Sequence, residues 1–399
     1  MQLRYLFVAL SLSVLMAGSA LAQAVSPESA EKYNAGQDLF KKRRYQEALK
    51  SFEEAVGLDA KNAQAYRAMG KTQQKLRSYK AAIEAFQMAT TIKTDYAEAY
   101  FELGQLQLQT KDYSGGQASL KKVLAIDPNF AEGNARNMLK AAYVKEGITL
   151  LRRRNAKDAA VQFESATQID PSDASIFYNL GLAHKSARNV NAAREALETA
   201  IDLNPNYGKA HRVLGDIFKA TGKNSSAATS YLNAIKADAK DTNSRLKLAG
   251  VYQAMKQTTK AINVLTKAAQ VDAGNALVHT ALGKAYTDGK KYKSAVAAYK
   301  KSIAIKSTAE VNYRISVPYF ELKQYQNTIV HAQKAVSSSK WKVPSNVILG
   351  DSYRELGEKD KAIEHYKKGV SDRRYKKYCE DQIDRILNPM GGGDEETGE

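Results

Sequence analysis

Apolar positions recur along this chain at helical spacing, in runs separated by short polar links. Residues 178–205, YNLGLAHKSARNVNAAREALETAIDLNP, show the pattern as two helical runs flanking one link. Gly181 sits inside the first run, where a glycine costs roughly 1 kcal/mol relative to alanine. The placement repeats: Gly36, Gly70 and Gly104 lie 34 apart, and so do Gly147, Gly181, Gly215, Ala249 and Gly283. Ser316 follows after 33 residues and Gly350 after a further 34. A period of this size in a helical chain predicts stacked helix pairs.

The surroundings of that slot repeat as well. An aromatic residue or histidine stands four before it, at Tyr66, Tyr100, Tyr143, Phe177, His211 and His279. Twelve after it comes a small residue, as at Ala48, Ala82, Ala159, Ala227 and Ala295. Sixteen after it comes a bulky one, as at Phe52, Phe86, Phe163, Tyr231, Tyr299 and Tyr366. Small side chains at two slots let paired helices approach closely, and that packing repays the glycine's intrinsic cost. Pro128, Pro171 and Pro205 close three of the units.

This set resembles the tetratricopeptide repeat, W-x2-L-G-x2-Y…A-x3-F…P over 34 residues. Ten units start near Ser29, Ala63, Ala97, Lys140, Ala174, Gly208, Thr242, Ala276, Ala309 and Val343. The resemblance implies an all-α, right-handed superhelical solenoid of helix-turn-helix units whose first helices line a concave groove. One unit cannot bury its own apolar face, so neighbours must stack.

Three irregularities interrupt the array. Nine extra residues, Ala131 to Leu139, separate units 1–3 (25–130) from units 4–10 (140–374), as a longer leading helix, a joint or a tolerated loop insertion. Unit nine has Ser316 in the glycine slot and Pro318 within its first helix, which predicts a kink. Residues 375–387, YKKYCEDQIDRIL, have helical spacing and read as a helix capping the last exposed face. The Gly-rich, acidic residues 388–399 read as a disordered tail, solvated or folded back onto a basic groove.

The N-terminal residues 1–24 read as a secretory signal peptide: a short positive start, the apolar run YLFVALSLSVLMA, then A-x-A cleavage patterns. The alternative is an uncleaved anchor. No cysteine stands near the cleavage site, so a lipid-modified N-terminus is not expected, and the single thiol, Cys379, precludes an intrachain disulfide. A periplasmic or secreted protein follows, with no transmembrane segment once the leader is removed. Asn224-Ser225-Ser226 matches a glycosylation acceptor, a triplet common by chance.

Chemistry-bearing motifs are scarce. The five histidines fall on repeat positions, as packing or surface residues, and no H-E-x-x-H or phosphate loop occurs. Ser-x-x-Lys occurs at Ser29, Ser119 and Ser244 without the S-D-N and K-T-G motifs that accompany it in penicillin-binding enzymes. The expectation is a non-enzymatic protein without metal or cofactor.

Net charge is +18. On the family's geometry, first-helix positions two, five, six, nine, twelve and thirteen face the groove. They hold Lys71, Lys75, Lys145, Arg152, Lys185, Lys209, Arg212, Lys219, Lys247, Lys284, Arg314 and Arg354, with Tyr33, Phe101, Tyr178 and Tyr313 interleaved. Cations among amphipathic rings suit an extended acidic peptide, steered by charge and anchored by rings; a plain basic solvated surface is the alternative. Some relatives hold a chaperone C-terminus in a Lys/Asn/Arg clamp. Asn179, Lys209 and Arg212 match fragments of it, but Val144 and Ile148 stand where its first Lys and Asn belong, so that ligand is not expected.

Three roles follow: an exported scaffold binding a protein or acidic peptide in assembly or regulation of a cell-envelope complex, a binder of anionic surface polysaccharide through the basic groove, or an accessory subunit of an envelope enzyme. Nucleic acid is not expected, because the leader directs the chain out of the cell.

Overall fold

The structure, a computed structural model, describes residues 25–388. Residues 1–24, which the sequence reads as a signal peptide, and the acidic residues beyond Asn388 lie outside the described residues. Among those described there are α-helices and one 3-10 turn but no strand. The chain divides between Asn189 and Val190 into two compact units.

The first unit contains α1 (Pro27–Lys41), α2 (Tyr45–Leu58), α3 (Ala63–Lys75), α4 (Tyr79–Ile92), α5 (Ala97–Gln109), α6 (Tyr113–Ile126), α7 (Asn134–Arg152), α8 (Ala156–Ile169) and α9 (Ala174–Ser186). The second contains α10 (Val190–Leu203), α11 (Gly208–Ala220), α12 (Asn224–Ala237), α13 (Thr242–Ala254), α14 (Thr258–Val271), α15 (Ala276–Asp288), α16 (Tyr292–Ile305), α17 (Ala309–Glu321), α18 (Tyr325–Ala335), α19 (Ser339–Glu355), α20 (Lys359–Gly369) and α21 (Lys376–Leu387). Within each unit every helix packs on the next, and alternate helices meet, as α1 with α3 and α13 with α15. That is a helix-turn-helix stack in which each repeat touches its neighbours.

The repeated slots form the contacts. A Cβ added at Gly36 would stand 2.6 Å from the Phe52 ring, one at Gly70 2.7 Å from Phe86, and one at Gly147 2.8 Å from Phe163. The second unit repeats this at Gly215 with Tyr231 and Gly350 with Tyr366, each at 2.7 Å. In these repeats the aromatic ring of the second helix therefore occupies the space a side chain on its first helix would take. Phe52, Phe86, Phe163, Tyr231 and Tyr366 are fully buried. Each such ring removes its area from water at about 25 cal/mol per Å2, which offsets the glycine's propensity cost.

Polar groups between repeats are satisfied across the stack. Asn62, the N-cap of α3, accepts from the Ala65 amide at 3.0 Å and donates to Ser29 Oγ at 2.9 Å. The Ser29 hydroxyl in turn donates to the Ala55 carbonyl at 2.7 Å. Such bonds match the start of one unit to the end of another, so register is fixed by hydrogen bonds as well as by packing.

Each irregular segment has a distinct form. Of residues 131–139, Ala131–Gly133 complete the 3-10 turn begun at Phe130, with φ of 50° at Ala131, 54° at Glu132 and 84° at Gly133. Asn134 to Leu139 are helical and start α7 early, burying Ala135 and Leu139. Pro318 lies inside α17, buried, and Pro344 lies inside α19, which begins at Ser339, ahead of the repeat position Val343. α21 packs on α20 and buries Cys379 and Gln382, with Ile383 and Ile386 against the same cluster.

Candidate functional site

The candidate groove residues occupy first helices throughout: Lys71 and Lys75 on α3, Lys145 and Arg152 on α7, Tyr178, Asn179 and Lys185 on α9. In the second unit Lys209, Arg212 and Lys219 lie on α11, Lys247 on α13, Lys284 on α15, Tyr313 and Arg314 on α17, and Arg354 on α19. Tyr33 lies on α1 and Phe101 on α5.

These cations are not equivalent. Arg212 donates to the Asp241 carboxylate at 2.9 Å, and Lys247 to both oxygens of Asp216 at 2.6 and 2.8 Å. Each pair ties α11 to the following repeat. Lys71 lies 3.6 Å from Glu102, which already accepts a two-pronged pair from Arg67 at 2.7 and 2.8 Å. Arg314 bonds Glu310 at 2.8 Å, and Arg354 bonds Glu355 at 2.7 Å and also Gln382. By contrast Lys75, Lys145, Arg152, Lys209, Lys219 and Lys284 are exposed and make no ion pair among the described residues.

Asp241 shows what the paired set does. Burial alone raises its pKa, but bonds from the Ser244 hydroxyl and amide and from Arg212 outweigh that and hold the carboxyl below its ordinary range. A carboxylate this well satisfied is structural: it caps α13 and neutralises the neighbouring guanidinium.

Aromatic side chains gather at one place that the sequence only half indicated. Tyr313 stacks on Trp341 with ring centroids 4.9 Å apart, and Arg314 lies over the same indole at 5.5 Å. Trp341 belongs to the early-starting turn of α19, so the repeat pattern gave no sign that it meets α17. His331 and His365 form a duplicated motif: the Nδ1–H of each donates to an asparagine Oδ1, of Asn312 at 2.9 Å and of Asn346 at 2.8 Å. Each also stacks on a tyrosine, Tyr319 or Tyr353.

A groove of about 700 Å3 opens between α14 and α16 over α15, lined chiefly by Ala269, Ala273, Leu282, Tyr286, Ala297 and Ala298. At its base His279 Nε2 bonds the Ala273 carbonyl at 2.8 Å. Among the described residues no three His, Cys, Asp or Glu side chains converge as a metal site. No described helix is long and apolar enough to cross a membrane.

A tetratricopeptide repeat profile matches residues 178–243, a second TPR repeat profile matches 36–76, and a third matches 97–130, 276–308 and 343–371. No curated protein matches the sequence. Among solved structures, the C-terminal part of a TPR repeat-containing protein from Cytophaga hutchinsonii shares 16% identity at a TM-score of 0.52, covering 60% of this chain and 99% of that one. Pseudomonas aeruginosa PilF is similar at 16% identity and a TM-score of 0.45, covering 56% and 100%. YrrB, described as a TPR protein with an unusual peptide-binding site, is similar at 25% identity and a TM-score of 0.31, covering 45% and 88%. The profile matches together span just over half of the sequence, each falling on helix pairs in which a small slot meets a bulky side chain: the chain belongs to the tetratricopeptide-repeat family.

Proposed function

We propose that this protein is a non-enzymatic scaffold, exported from the cell, that holds an extended acidic protein segment on its first-helix face within a cell-envelope complex. Support for the face comes from one observation. In the second unit, Arg212 and Lys247 are consumed by Asp241 and Asp216, while Lys209, Lys219 and Lys284 on the same set of helices have no carboxylate partner among the described residues. The paired cations hold repeats together; the unpaired ones are left to steer and register a ligand. Tyr313 and Trp341 supply the amphipathic surface that charge alone lacks. The export and envelope setting rest on the leader-like residues 1–24.

The division between paired and unpaired cations selects the test. Reversing Arg212 or Lys247 would leave Asp241 or Asp216 facing a like charge and would damage the stack. Lys209, Lys219 and Lys284 can be replaced by Glu without that cost. Affinity capture from an envelope extract should recover a protein partner with the unaltered chain and lose it with the triple variant. Equal recovery by both, with unchanged circular dichroism, would remove this face as the site.

A further inference from the structure

Every first helix ends in the same kind of turn. The Arg44 amide bonds the Leu39 carbonyl at 3.0 Å, and the equivalent bond recurs from Ser78 to Gln73, Asp112 to Gln107 and onward to Glu358 with Tyr353, each at 2.8 or 2.9 Å. Such a turn places one residue in the left-handed region, where glycine is usual because any Cβ there costs roughly 1–2 kcal/mol. The chain uses glycine twice, at Gly222 and Gly357. In the other eight repeats the left-handed residue is a cation: Arg43, Arg77, Lys111, Arg154 and Arg188 in the first unit, and Lys256, Lys290 and Lys323 in the second. All eight are exposed, and none makes an ion pair among the described residues.

The helix dipole does not account for them. A cation at a helix C-terminus gains about 0.3–1 kcal/mol, yet the second helices show no such uniform preference: Asp59, Asp127, Asp170, Asp238 and Asp272 stand at five of their C-caps, and Lys93 and Lys306 at only two. Those carboxylates have a local task, accepting the amide two residues on, as Lys61 to Asp59 at 2.9 Å and Lys240 to Asp238 at 2.8 Å. The cations on the other turns have no such partner. Alternating helices put all first-helix C-termini of a unit along one edge, so the cations follow one another at about 10 Å, the spacing of packed helices.

We infer that this edge, in each unit, is a track for a linear acidic polysaccharide, with one cation per repeat meeting a carboxylate at intervals along the polymer. A membrane surface needs apolar side chains to insert, and at these turns the large exposed apolar residues are Val190 and Leu356 alone among those described. Single-stranded nucleic acid needs free stacking rings. The tyrosines that follow the cations are half-buried instead, Tyr45 against Phe40 at 5.3 Å and Tyr325 against Phe320 at 5.5 Å. On a second copy of this chain the carboxylates of Asp59, Asp127, Asp170 and Asp238 are already turned onto their own backbone amides, and a net charge of +18 opposes association.

Because these positions favour glycine, removing the cations separates binding from folding. The purified full chain is titrated with polygalacturonate over a salt series, beside the variant R77G/K111G/K256G/K290G. A matched variant removes four unpaired face cations instead, K145Q/K209Q/K219Q/K284Q. The edge variant should bind about tenfold or more weakly at low salt. Its salt dependence should be shallower by about one unit of slope for each edge cation removed, and it should melt no lower than the unaltered chain. The face variant should retain most of the affinity. Equal weakening of both variants would show that net charge, not the edge, is read, and would overturn the assignment. So would an unaffected edge variant, or tighter binding to phosphatidylglycerol vesicles or oligo(dT) than to polygalacturonate.

Discussion

Tyr299 closes over Gly283 so tightly that a Cβ at residue 283 would stand 2.6 Å from its ring. The same relationship joins glycine and aromatic ring in six repeats; in two others leucine takes the ring's place, Leu120 after Gly104 and Leu197 after Gly181. Where Ala249 fills the slot the residue sixteen later is Leu265, and where Ser316 fills it the residue is Ala332. Wherever the slot carries a side chain, the partner is therefore smaller than an aromatic ring, as a close-packed interior requires.

Gly283→Ala should accordingly cost about 1–3 kcal/mol through overpacking, read from denaturant unfolding followed by circular dichroism. Tyr299→Leu should cost less in the Gly283→Ala background than alone, because leucine recreates the Ala249–Leu265 pairing. Strictly additive effects would mean that the two side chains do not share the space.

Acid should weaken the C-terminal repeats early. Burial, then the nearby Lys334 and Lys300, lowers the pKa of His331; burial and Lys368 lower that of His365. The unfolded chain therefore binds protons at these positions before the folded protein does. Stability is full above the ordinary histidine pKa of about 6.5 and falls as pH drops through it. His331→Gln with His365→Gln should flatten the melting-temperature profile between about pH 6.5 and 5. A profile unchanged by the double substitution would remove these imidazoles as its cause.

The sole thiol reports on the cap. Cys379, on the inner face of α21, is fully buried, and burial pushes its pKa up to about 11. Native protein should resist a thiol reagent at neutral pH, and labelling should speed up when Ile383→Ala and Ile386→Ala loosen α21 from the cluster around Val347 and Tyr366. Rapid stoichiometric labelling of the unaltered chain would show that α21 does not cover the last repeat.

The helix pairs were readable in the sequence because one contact, small slot against bulky ring, recurs in six repeats at a fixed separation of sixteen residues. The ion pairs were not. Arg212 meets Asp241 and Lys247 meets Asp216 across repeats, at separations of 29 and 31 residues that belong to no motif. The groove positions therefore read as one uniform basic surface, although the structure separates them into bound and unbound cations. Trp341 escaped notice because α19 starts ahead of its repeat position, placing the indole beside Tyr313. The left-handed cations did leave a signal: Arg43, Arg77, Lys111, Arg154, Arg188, Lys256, Lys290 and Lys323 each lie seven residues past the small slot. The helical period masks this regularity, because it belongs to the turns rather than to a helix face.

The most direct measurement of the account is lysine-reactive crosslinking of the captured partner to the unaltered chain, with the joined residues mapped by mass spectrometry. If unpaired face cations receive an acidic segment, the crosslinks concentrate on Lys209, Lys219 and Lys284, with paired Lys247 poorly represented. Crosslinks confined to second-helix lysines such as Lys236, Lys267 and Lys300, with none on those three, would contradict it.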